Sequence, residues 1–459
     1  IYGTVQDVTE QALLFRRMRY LADHDTLTGL PNRRAFVERI EHCVKAAGRN
    51  QHEMALLFID LDGFKTVNDS LGHGAGDQLL AHVAERILGH IRSSDALARC
   101  GTPDKPAVSR LGGDEFALLL TKVDGAGGTE IVADRLASVL AEPILIDQHE
   151  VAVSGSIGIS MFPADASTAE DLFTHADQAM YQAKSRGPNN YAFYDQSMDT
   201  ASLRRLTVAS RLRRAVARDE VHVHFQPRLD LRKGAVAGGE ALARWKDETL
   251  GQVSPAEFIP VAESTGLIIP LGRRVLERSC EQVRGWLDAG YEDFVISVNV
   301  SPQQFIRENV VAWVSETLQK YRTPPQFLEL EITENLFLGK AESIGDVLRD
   351  LRSIGLRIAL DDFGTGYSSL SYLLQFPIDT LKIDRCLLKN VPHNDDAAGV
   401  VKALIEMSSS LGIRTVAEGV DDEAQADWLD SHGCDEIQGF LISGALESSG
   451  FRALLGKRW

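Results

Sequence analysis

The spacing of hydrophobic and polar positions differs between two stretches of the chain. In residues 25–194, helical patterns alternate with short apolar runs, the clearest at residues 54–60, 115–120 and 151–160. This alternation predicts an α/β domain in which helices pack on a sheet. A charged stretch with few turn residues follows at residues 202–220 and predicts a connecting helix.

Eight more apolar runs follow from Val221 onward, and most of them are separated by a helical segment. Eight strands with intervening helices over about 240 residues predict a (β/α)8 barrel. The runs are residues 221–227, 236–245, 293–301, 327–333, 356–362, 380–384, 413–420 and 436–440. The expected fold is therefore α/β with two domains, divided into an N-terminal segment 1–23, a first domain 24–196, a connecting helix 197–219 and a barrel 220–459.

Polar residues stand at the ends of nearly all the predicted barrel strands, where the active sites of such barrels lie. They are Gln226, Glu240, Asn299, Glu331, Asp361, Asp362, Lys382, Glu418 and Gln438. Any one of them is equally well explained as a structural polar group, but a barrel core needs none of them. Converging carboxylates repel one another unless cations neutralise them, and oxygen ligands suit Mg²⁺ or Mn²⁺. The set predicts metal-dependent phosphodiester hydrolysis, with Lys382 holding water or neutralising charge.

The barrel motifs resemble those of the EAL domain, the phosphodiesterase of the bacterial second messenger cyclic di-GMP. The matching segments are EALARW, FIPVAESTGLI, VNVSPQQF, ELEITEN, DDFGTGYSSL, LKID, VAEGV and QGF, within residues 219–447. The resemblance implies that Glu240, Asn299, Glu331, Asp361 and Glu418 bind two metal ions bridged by Asp362. It also implies that Lys382 orients water, Gln438 supports the site, and Gln226 and Arg244 contact substrate.

Two further features of the barrel segment belong to this resemblance. Glu334 and the loop at residues 362–370 would hold the bridging Asp362 and link the site to a dimer partner. Arg228 and the segment SGALES at residues 443–448 depart from the family pattern, because an apolar residue is usual at the first position and SRPLP at the second.

In the first domain, Gly112 and Gly113 lie between apolar runs and predict a hairpin turn, because glycine tolerates positive φ. Two acids follow them, Asp114 and Glu115, and another acidic stretch contains Asp60 and Asp62 at the end of an apolar strand. Each acidic stretch, taken alone, is better explained as a solvent-exposed turn. Together, and with Asp77 and Lys184 elsewhere in the domain, they predict a metal and nucleotide site.

This set resembles the GGDEF domain of diguanylate cyclases. That domain has a nucleotidyl-cyclase-like α/β fold and condenses two GTP molecules into cyclic di-GMP. The matching segments are DTLTGLPNRR, FIDLDGFKTVND, LGHGAGD, GGDEF, SIGIS and ADQAMYQAK. The resemblance implies that Asp60, the Leu61 carbonyl and Asp114 bind the metal, with help from Glu115. It also implies that Asn68 and Asp77 contact guanine. Phosphate would be bound by the Gly63–Phe64 backbone and Lys184.

Each GGDEF domain holds one GTP, so synthesis implies a homodimer, for which Leu14, Met18 and Leu21 have the spacing of a helical seam. Equally, these residues fit a helix packed on its own domain. Pro188 stands in a GPNN stretch where the family has a phosphate-binding Arg. Arg92 and Asp95 resemble the inhibitory RxxD motif, displaced from GGDEF by an insertion.

Composition adds limits on partners and location. The 65 acidic residues outnumber the 48 basic ones, and the net charge of -17 disfavours DNA, RNA and anionic lipid. The sequence has no apolar run of membrane-spanning length and no leader, and its five cysteines form no CxxC pattern, so we expect a cytoplasmic protein. The first residues resemble the end of a PAS sensor domain, which implies an upstream sensor that could carry a membrane anchor.

Three functions follow from these patterns. The first is a phosphodiesterase that makes linear pGpG, joined to a diguanylate cyclase. In the second, the GGDEF domain only senses GTP and regulates the hydrolase. The third, of another class, is a non-catalytic cyclic di-GMP receptor, which the retained metal ligands disfavour.

Overall fold

The computed structural model describes residues 20–91, 108–337, 341–364 and 370–459. The chain divides into two compact units, Ile1–Arg204 and Arg205–Trp459. The α/β two-domain prediction is confirmed. Leu14, Met18, Arg92, Asp95 and residues 365–369 lie outside the described residues, so the predictions on them stay predictions.

The first unit is built on a five-stranded sheet with the order β2-β3-β1-β6-β7. Its strands are β1 (Met54–Asp62), β2 (Val108–Gly112), β3 (Glu115–Leu120), β6 (Ser154–Phe162) and β7 (Tyr191–Phe193), and β4 (Ile144–Ile146) pairs with β5 (His149–Val151) in a separate ribbon. The helices are α1 (Arg33–Asn50), α2 (Phe64–Leu71), α3 (His73–His90), α4 (Gly125–Leu140) and α5 (Ala169–Ser185). β1 is central and runs antiparallel to both β3 and β6.

Helices cover both faces of this sheet, which explains why β1 is a continuous apolar run rather than an alternating one. Leu56 and Phe58 pack with Phe36 and other residues of α1 and α5. Leu57 and Ile59 pack on the opposite face with α3 and α4. The strand is therefore anchored from both sides, and its carboxyl end, at Asp60 and Asp62, is held rigidly.

The second unit contains a closed eight-stranded barrel. Its strands are β8 (Val221–Asp230), β9 (Ala235–Asp247), β11 (Val295–Asn299), β12 (Leu328–Thr333), β13 (Arg357–Phe363), β14 (Thr380–Ile383), β15 (Arg414–Glu418) and β16 (Glu436–Gln438). They follow one another around the ring, and the β8–β9 pairing closes it, while the short β10 (Gly251–Val253) extends β9. All eight predicted strands are present.

The first barrel strand differs from a regular (β/α)8 arrangement. β8 runs antiparallel to both of its neighbours, β9 and β16, and a short turn rather than a helix joins it to β9. Hydrophobic periodicity carries no information on strand direction, so the sequence pattern does not predict this reversal. As a result Gln226 lies opposite Glu240, at the end of the barrel where the parallel strands finish.

Helices surround the barrel and bury its outer surface. They are α6 (Ser197–Ala217), which begins before the unit, α7 (Pro255–Thr265), α8 (Ile268–Asp288), α9 (Pro302–Arg307), α10 (Val310–Tyr321), α11 (Ala341–Ser353), α12 (Leu370–Gln375), α13 (Arg385–Leu388), α14 (Asp395–Leu411), α15 (Glu423–Ser431) and α16 (Ser448–Arg452). Short 3-10 turns occupy Pro325–Phe327 and Glu334–Phe337. Among the described residues, none of the helices has the length and apolarity to cross a membrane.

Candidate active sites

The mouth of the barrel is organised around one buried lysine. Lys382, on β14, is 1% exposed, and four carboxylates surround its ammonium group. The distances from Nζ are 2.6 Å to Glu418 Oε1, 2.9 Å to Glu331 Oε2, 3.2 Å to Asp361 Oδ1 and 3.5 Å to Glu240 Oε2. The structure therefore brings together residues that the sequence predicts from five separate strands.

Amide side chains fix the orientation of Glu240. Asn299 Nδ2 donates to Glu240 Oε1 at 2.6 Å, and Gln438 Nε2 donates to Glu240 Oε2 at 2.7 Å. The same Gln438 amide lies 3.4 Å from Gln226 Oε1. Gln438, on β16, thus orients the Glu240 carboxylate from across β8.

A local irregularity turns both acids of the Asp361–Asp362 pair toward the same site. Successive side chains of a regular strand point to opposite faces. Here the pairing of β13 with β14 slips between Leu360 and Phe363, and Asp362 has a left-handed φ of 54°. Its backbone N–H donates to Asp361 Oδ1 at 2.9 Å. One oxygen each from Asp361, Asp362 and Glu418 consequently lie within 4.8 Å of one another, close enough to share a metal ion.

We call Lys382, the acids Glu240, Glu331, Asp361, Asp362 and Glu418, and the amides Gln226, Asn299 and Gln438 the ring. The ring carries an excess of negative charge. Burial alone would lower the pKa of Lys382, but the surrounding carboxylates outweigh it and raise that pKa well above its ordinary value. Burial raises the pKa of Glu331 well above its ordinary value, and Glu240 adds to the effect. Burial also raises the pKa of Glu418 to about 7. Four carboxylates thus share one ammonium group.

The ring fits divalent metal ions. Neither oxygen of Glu331 accepts a hydrogen bond from the described residues, although the Lys382 ammonium lies near one of them. Unpartnered carboxylate oxygens at a buried position are costly unless a cation binds them. Hard oxygen ligands of this kind suit Mg²⁺ or Mn²⁺.

A cavity of about 690 Å³ opens beside the ring and is large enough for a small-molecule ligand. Arg244, Asn299 and Glu263 are among the residues that line it. Arg244 donates to the carbonyl of its neighbour Ala243 at 2.9 Å. Glu334 begins the 3-10 turn that follows β12, three residues after Glu331, so it lies next to the site in the chain.

In the first unit, the glycine pair forms the predicted hairpin. Gly112 pairs with Glu115 across the turn, and Gly112 and Gly113 have φ values of 144° and 54°. Antiparallel pairing places Glu115 opposite Asp60, and the Leu61 N–H lies 3.3 Å from the Asp114 carbonyl oxygen. The acids of two motifs that are far apart in sequence therefore meet at one end of the sheet.

Lys184 and Asp62 complete this end of the sheet. Lys184 Nζ pairs with Asp60 Oδ1 at 2.5 Å. Asp62 accepts hydrogen bonds from the Ser154 and Ser156 hydroxyls at 2.8 and 2.7 Å, and from the Asn189 N–H at 3.0 Å. Asp62 thus holds the GPNN stretch against β1 and β6, which is a structural use of the second acid.

Burial and neighbouring acids shape the charge of this site. Burial raises the pKa of Asp60, although the Lys184 ammonium opposes the change. Burial also raises the pKa of Glu115, and Asp177 on α5 and Asp60 add to it. The site collects negative charge, as a cation site does.

The predicted guanine contacts lie at the junction of α2 and α3. Gly63 and Gly72 cap α2 with positive φ, and Phe64 packs on the core below. The Asn68 carboxamide lies directly against Gly76, and the exposed Asp77 follows that glycine. Asn68 and Asp77 are therefore near one another on the surface of the unit.

Two sets of residues were missed by sequence reasoning. Arg110 pairs with Asp25 at 3.0 Å and donates to the Gly113 carbonyl at 2.8 Å, so it holds the hairpin turn. Inside the barrel, Glu329 and Arg228 form a buried ion pair at 2.8 Å. The sequence contains a signal for the second set, because LELEIT, VISVN, TLKI and EIQ each carry polar residues spaced by two, on the same strand face.

Fold and geometry together define a class: a nucleotidyl-cyclase-like domain joined to a barrel whose mouth gathers carboxylates suited to metal-dependent chemistry. The family model described as "Diguanylate cyclase, GGDEF domain" matches residues 22–190, and the EAL domain model matches residues 209–445. The chain therefore belongs to the tandem GGDEF–EAL family, and its resemblance to the GGDEF and EAL domains is confirmed.

Curated relatives agree with this assignment. The chain is 41% identical over 434 residues to the bifunctional diguanylate cyclase/cyclic di-GMP phosphodiesterase MucR of Pseudomonas aeruginosa, a match covering 95% of this chain and 62% of MucR. It is 37% identical over 432 residues to the cyclic di-GMP phosphodiesterase NbdA of the same species, covering 93% of this chain and 53% of NbdA. The chain thus spans little more than half the length of these relatives.

Two solved structures resemble the described residues. The PaMucR phosphodiesterase in complex with c-di-GMP matches with a TM-score of 0.52 and 38% identity, over 53% of this chain and 99% of that one. The S helix–GGDEF–EAL part of Vibrio cholerae LapD matches with a TM-score of 0.66 over 95% of this chain and 100% of that one. LapD is 20% identical, so it supports the fold alone.

Proposed function

We propose that the barrel hydrolyses cyclic di-GMP to linear pGpG with Mg²⁺ or Mn²⁺, and that the first unit binds GTP and condenses two GTP molecules into cyclic di-GMP. The observation that carries the hydrolase is the ring of carboxylates around Lys382 at the barrel mouth. A ring of this charge is adapted to cations and to a phosphodiester bound through them. MucR and NbdA, whose names include this hydrolase activity, support the proposal.

In this proposal the metal ions would be held by Glu240, Asn299, Glu331, Asp361, Asp362 and Glu418. The bound ions supply water activation and neutralise charge on the phosphodiester oxygens. Gln438 and Asn299 keep the Glu240 carboxylate in one orientation. Lys382 orients water, and Arg244 and Gln226 contact the dinucleotide.

In the first unit, Asp60, the Leu61 carbonyl and Asp114 hold Mg²⁺, and Glu115 assists. Asn68 and Asp77 contact guanine, and Lys184 leaves Asp60 to neutralise the triphosphate. Two chains must meet, because each GGDEF domain contributes one GTP. We further propose an upstream sensor domain and a cytoplasmic location, on the resemblance stated from the sequence.

Two observations favour a second function. Pro188 stands where the family has a phosphate-binding Arg, and Lys184 is already paired with Asp60. Weaker triphosphate contacts would leave a domain that senses GTP and regulates the hydrolase without synthesis.

A chromatographic assay of the purified chain with Mg²⁺ tests both functions, using GTP alone, cyclic di-GMP alone, and the two together. Cyclic di-GMP or pGpG formed from GTP alone supports synthesis. GTP that stays intact but accelerates formation of pGpG supports the sensing role. Cyclic di-GMP that binds in chelator but is never converted with metal contradicts the hydrolase and favours a receptor.

Substitutions separate the two sites. We expect Glu240→Ala to lower hydrolysis at least about 10²-fold, because it removes a metal ligand. The exposed Glu248→Ala is the matched control and should hydrolyse normally. Asp114→Ala combined with Glu115→Ala should abolish synthesis alone. Normal hydrolysis by Glu240→Ala would contradict the assignment of the barrel site.

A further inference from the structure

A buried polar layer lies inside the barrel, directly beneath the ring around Lys382. It consists of Arg228, Ser297, Glu329, Thr380 and Glu436, each at most 5% exposed. We call it the lower layer. None of the roles proposed above uses it.

Glu329 is the centre of the lower layer. Its carboxylate accepts hydrogen bonds from Arg228 Nη1 at 2.8 Å, Ser297 Oγ at 2.8 Å and Thr380 Oγ1 at 2.6 Å. Arg228 Nε also lies 3.3 Å from Glu436 Oε2, and Arg414 pairs with Glu436 at 3.2 Å. With Arg414 included, two guanidinium groups therefore balance two carboxylates, and the Glu329 carboxylate alone ties β12 to β8, β11 and β14.

Each member of the lower layer is two residues from a member of the ring on the same strand. Because side chains alternate between faces, both members of such a pair point into the barrel, one above the other. The pairs are Arg228 with Gln226, Ser297 with Asn299, Glu329 with Glu331, Thr380 with Lys382, and Glu436 with Gln438. A shift of the lower layer must therefore move the ring.

Arg228 is enclosed in this position. It is 1% exposed, and its guanidinium group contacts both Glu329 and Glu436. Above Glu329 on the same strand, Glu331 pairs with the Lys382 ammonium at 2.9 Å, and Lys382 itself follows Thr380 of the lower layer by two residues. The positions of both groups therefore depend on the strands that the lower layer ties together.

We propose that Arg228 is a positioning residue, which acts through Glu329 to hold Glu331, Asn299 and Lys382 in the geometry that binds metal. This inference rests on the proposed function of the barrel. The alternative is that the lower layer contributes stability only. Metal affinity separates the two, since a layer with a purely structural role leaves the affinity of a folded barrel unchanged.

The test uses the full chain with Arg228→Met and Glu329→Gln together, which removes both charges while keeping similar volumes. Replacing a buried ion pair with neutral groups is often tolerated, whereas removing one partner alone is not. Folding is followed by tryptophan fluorescence, because Trp245, Trp286, Trp313, Trp428 and Trp459 all belong to the barrel unit. Mn²⁺ binding is measured without substrate by titration calorimetry, with Asp114→Ala and Glu115→Ala in every chain so that only the barrel site is titrated.

We expect the double variant to unfold near the wild-type temperature but to bind Mn²⁺ at least about tenfold more weakly, the effect usual for residues that orient metal ligands. Arg228→Lys with Glu329 unchanged keeps the positive charge and should bind Mn²⁺ more tightly than the double variant. Arg211→Met is the control: it breaks the 2.8 Å pair with Asp247 elsewhere in the unit and should bind Mn²⁺ normally.

A folded double variant with wild-type Mn²⁺ affinity overturns the positioning role. If the double variant does not fold, Thr380→Val decides, because it removes one hydrogen bond to Glu329 at nearly constant volume. Several-fold weaker Mn²⁺ binding by this variant supports the role, and unchanged binding overturns it. A wild-type chain that binds no Mn²⁺ overturns the proposed function, and the positioning role fails with it.

Discussion

Gly76 illustrates how one missing side chain can shape a ligand contact. A Cβ atom added at Gly76 would lie 1.9 Å from Asn68 Oδ1, so the glycine makes the space that the Asn68 carboxamide occupies. Gly74 lies two residues earlier in the same helix, and a Cβ added there meets nothing within 4 Å. Alanine substitution at each glycine therefore adds the same Cβ atom, with a steric clash at Gly76 and without one at Gly74.

We expect Gly76→Ala to displace Asn68 and weaken binding of a non-hydrolysable GTP analogue by about tenfold, as the loss of one or two hydrogen bonds would. Gly74→Ala should bind the analogue normally and leave the helix unchanged or slightly more stable. Titration calorimetry measures both affinities. Equal affinities for the two variants would remove Asn68 from the predicted guanine contacts.

At the scale of elements, the pair Asp25–Arg110 connects the segment before α1 to the β2–β3 hairpin. Arg110 reaches both Asp25 and the Gly113 carbonyl, so it links the DTLTG motif to the turn that carries Asp114. Burial alone would raise the pKa of Asp25, but hydrogen bonds from Thr28 and Arg110 outweigh it and lower that pKa below its usual value of 3.8.

A carboxyl group with a lowered folded-state pKa stabilises the fold above its unfolded pKa and loses that contribution as the pH falls through the folded-state pKa. We therefore expect Asp25→Asn to destabilise the first unit by about 0.5–1 kcal/mol at neutral pH, a value that allows for solvent screening. The difference from wild type should shrink below pH 3.8.

Chemical denaturation monitored by far-UV circular dichroism measures this effect, with tryptophan fluorescence reporting the barrel separately. Asp23→Asn is the control, since its partner Arg34 is 57% exposed and the pair should contribute less. A difference between Asp25→Asn and wild type that stays constant from neutral to acid pH would contradict the role of the Asp25 carboxylate.

Strand positions were predictable from the sequence, but the direction of β8 and the side-chain contacts between strands were not. The apolar runs and the polar residues that end them located all eight barrel strands and the ring around Lys382. Periodicity does not encode direction, so the reversal of β8 was not predicted. The Asp361–Asp362 bulge and the partners of Arg228 depend on contacts between strands that are distant in sequence. Arg228 looked like a departure from the family pattern, and in the fold it is a buried partner of Glu329.

At the scale of the whole molecule, one chain carries the two sites proposed to make and to break cyclic di-GMP. If both act, they make and break the same dinucleotide, and the net flux depends on which is faster. The barrel site is assembled within one unit from its own strands. Synthesis, by contrast, needs two GTP molecules held by two domains, so it is the activity that should depend on assembly between chains.

A mixing experiment tests this dependence. All chains carry Glu240→Ala, so that product accumulates, and half of them also carry Asp114→Ala and Glu115→Ala. If two intact GGDEF sites must meet and chains exchange freely, only about one quarter of random pairs are competent, so we expect about one quarter of the rate given by the same total concentration of intact chains. A rate of about one half would mean that each chain acts alone. Chromatographic measurement of cyclic di-GMP formed from GTP distinguishes these outcomes, because both samples contain the same total protein.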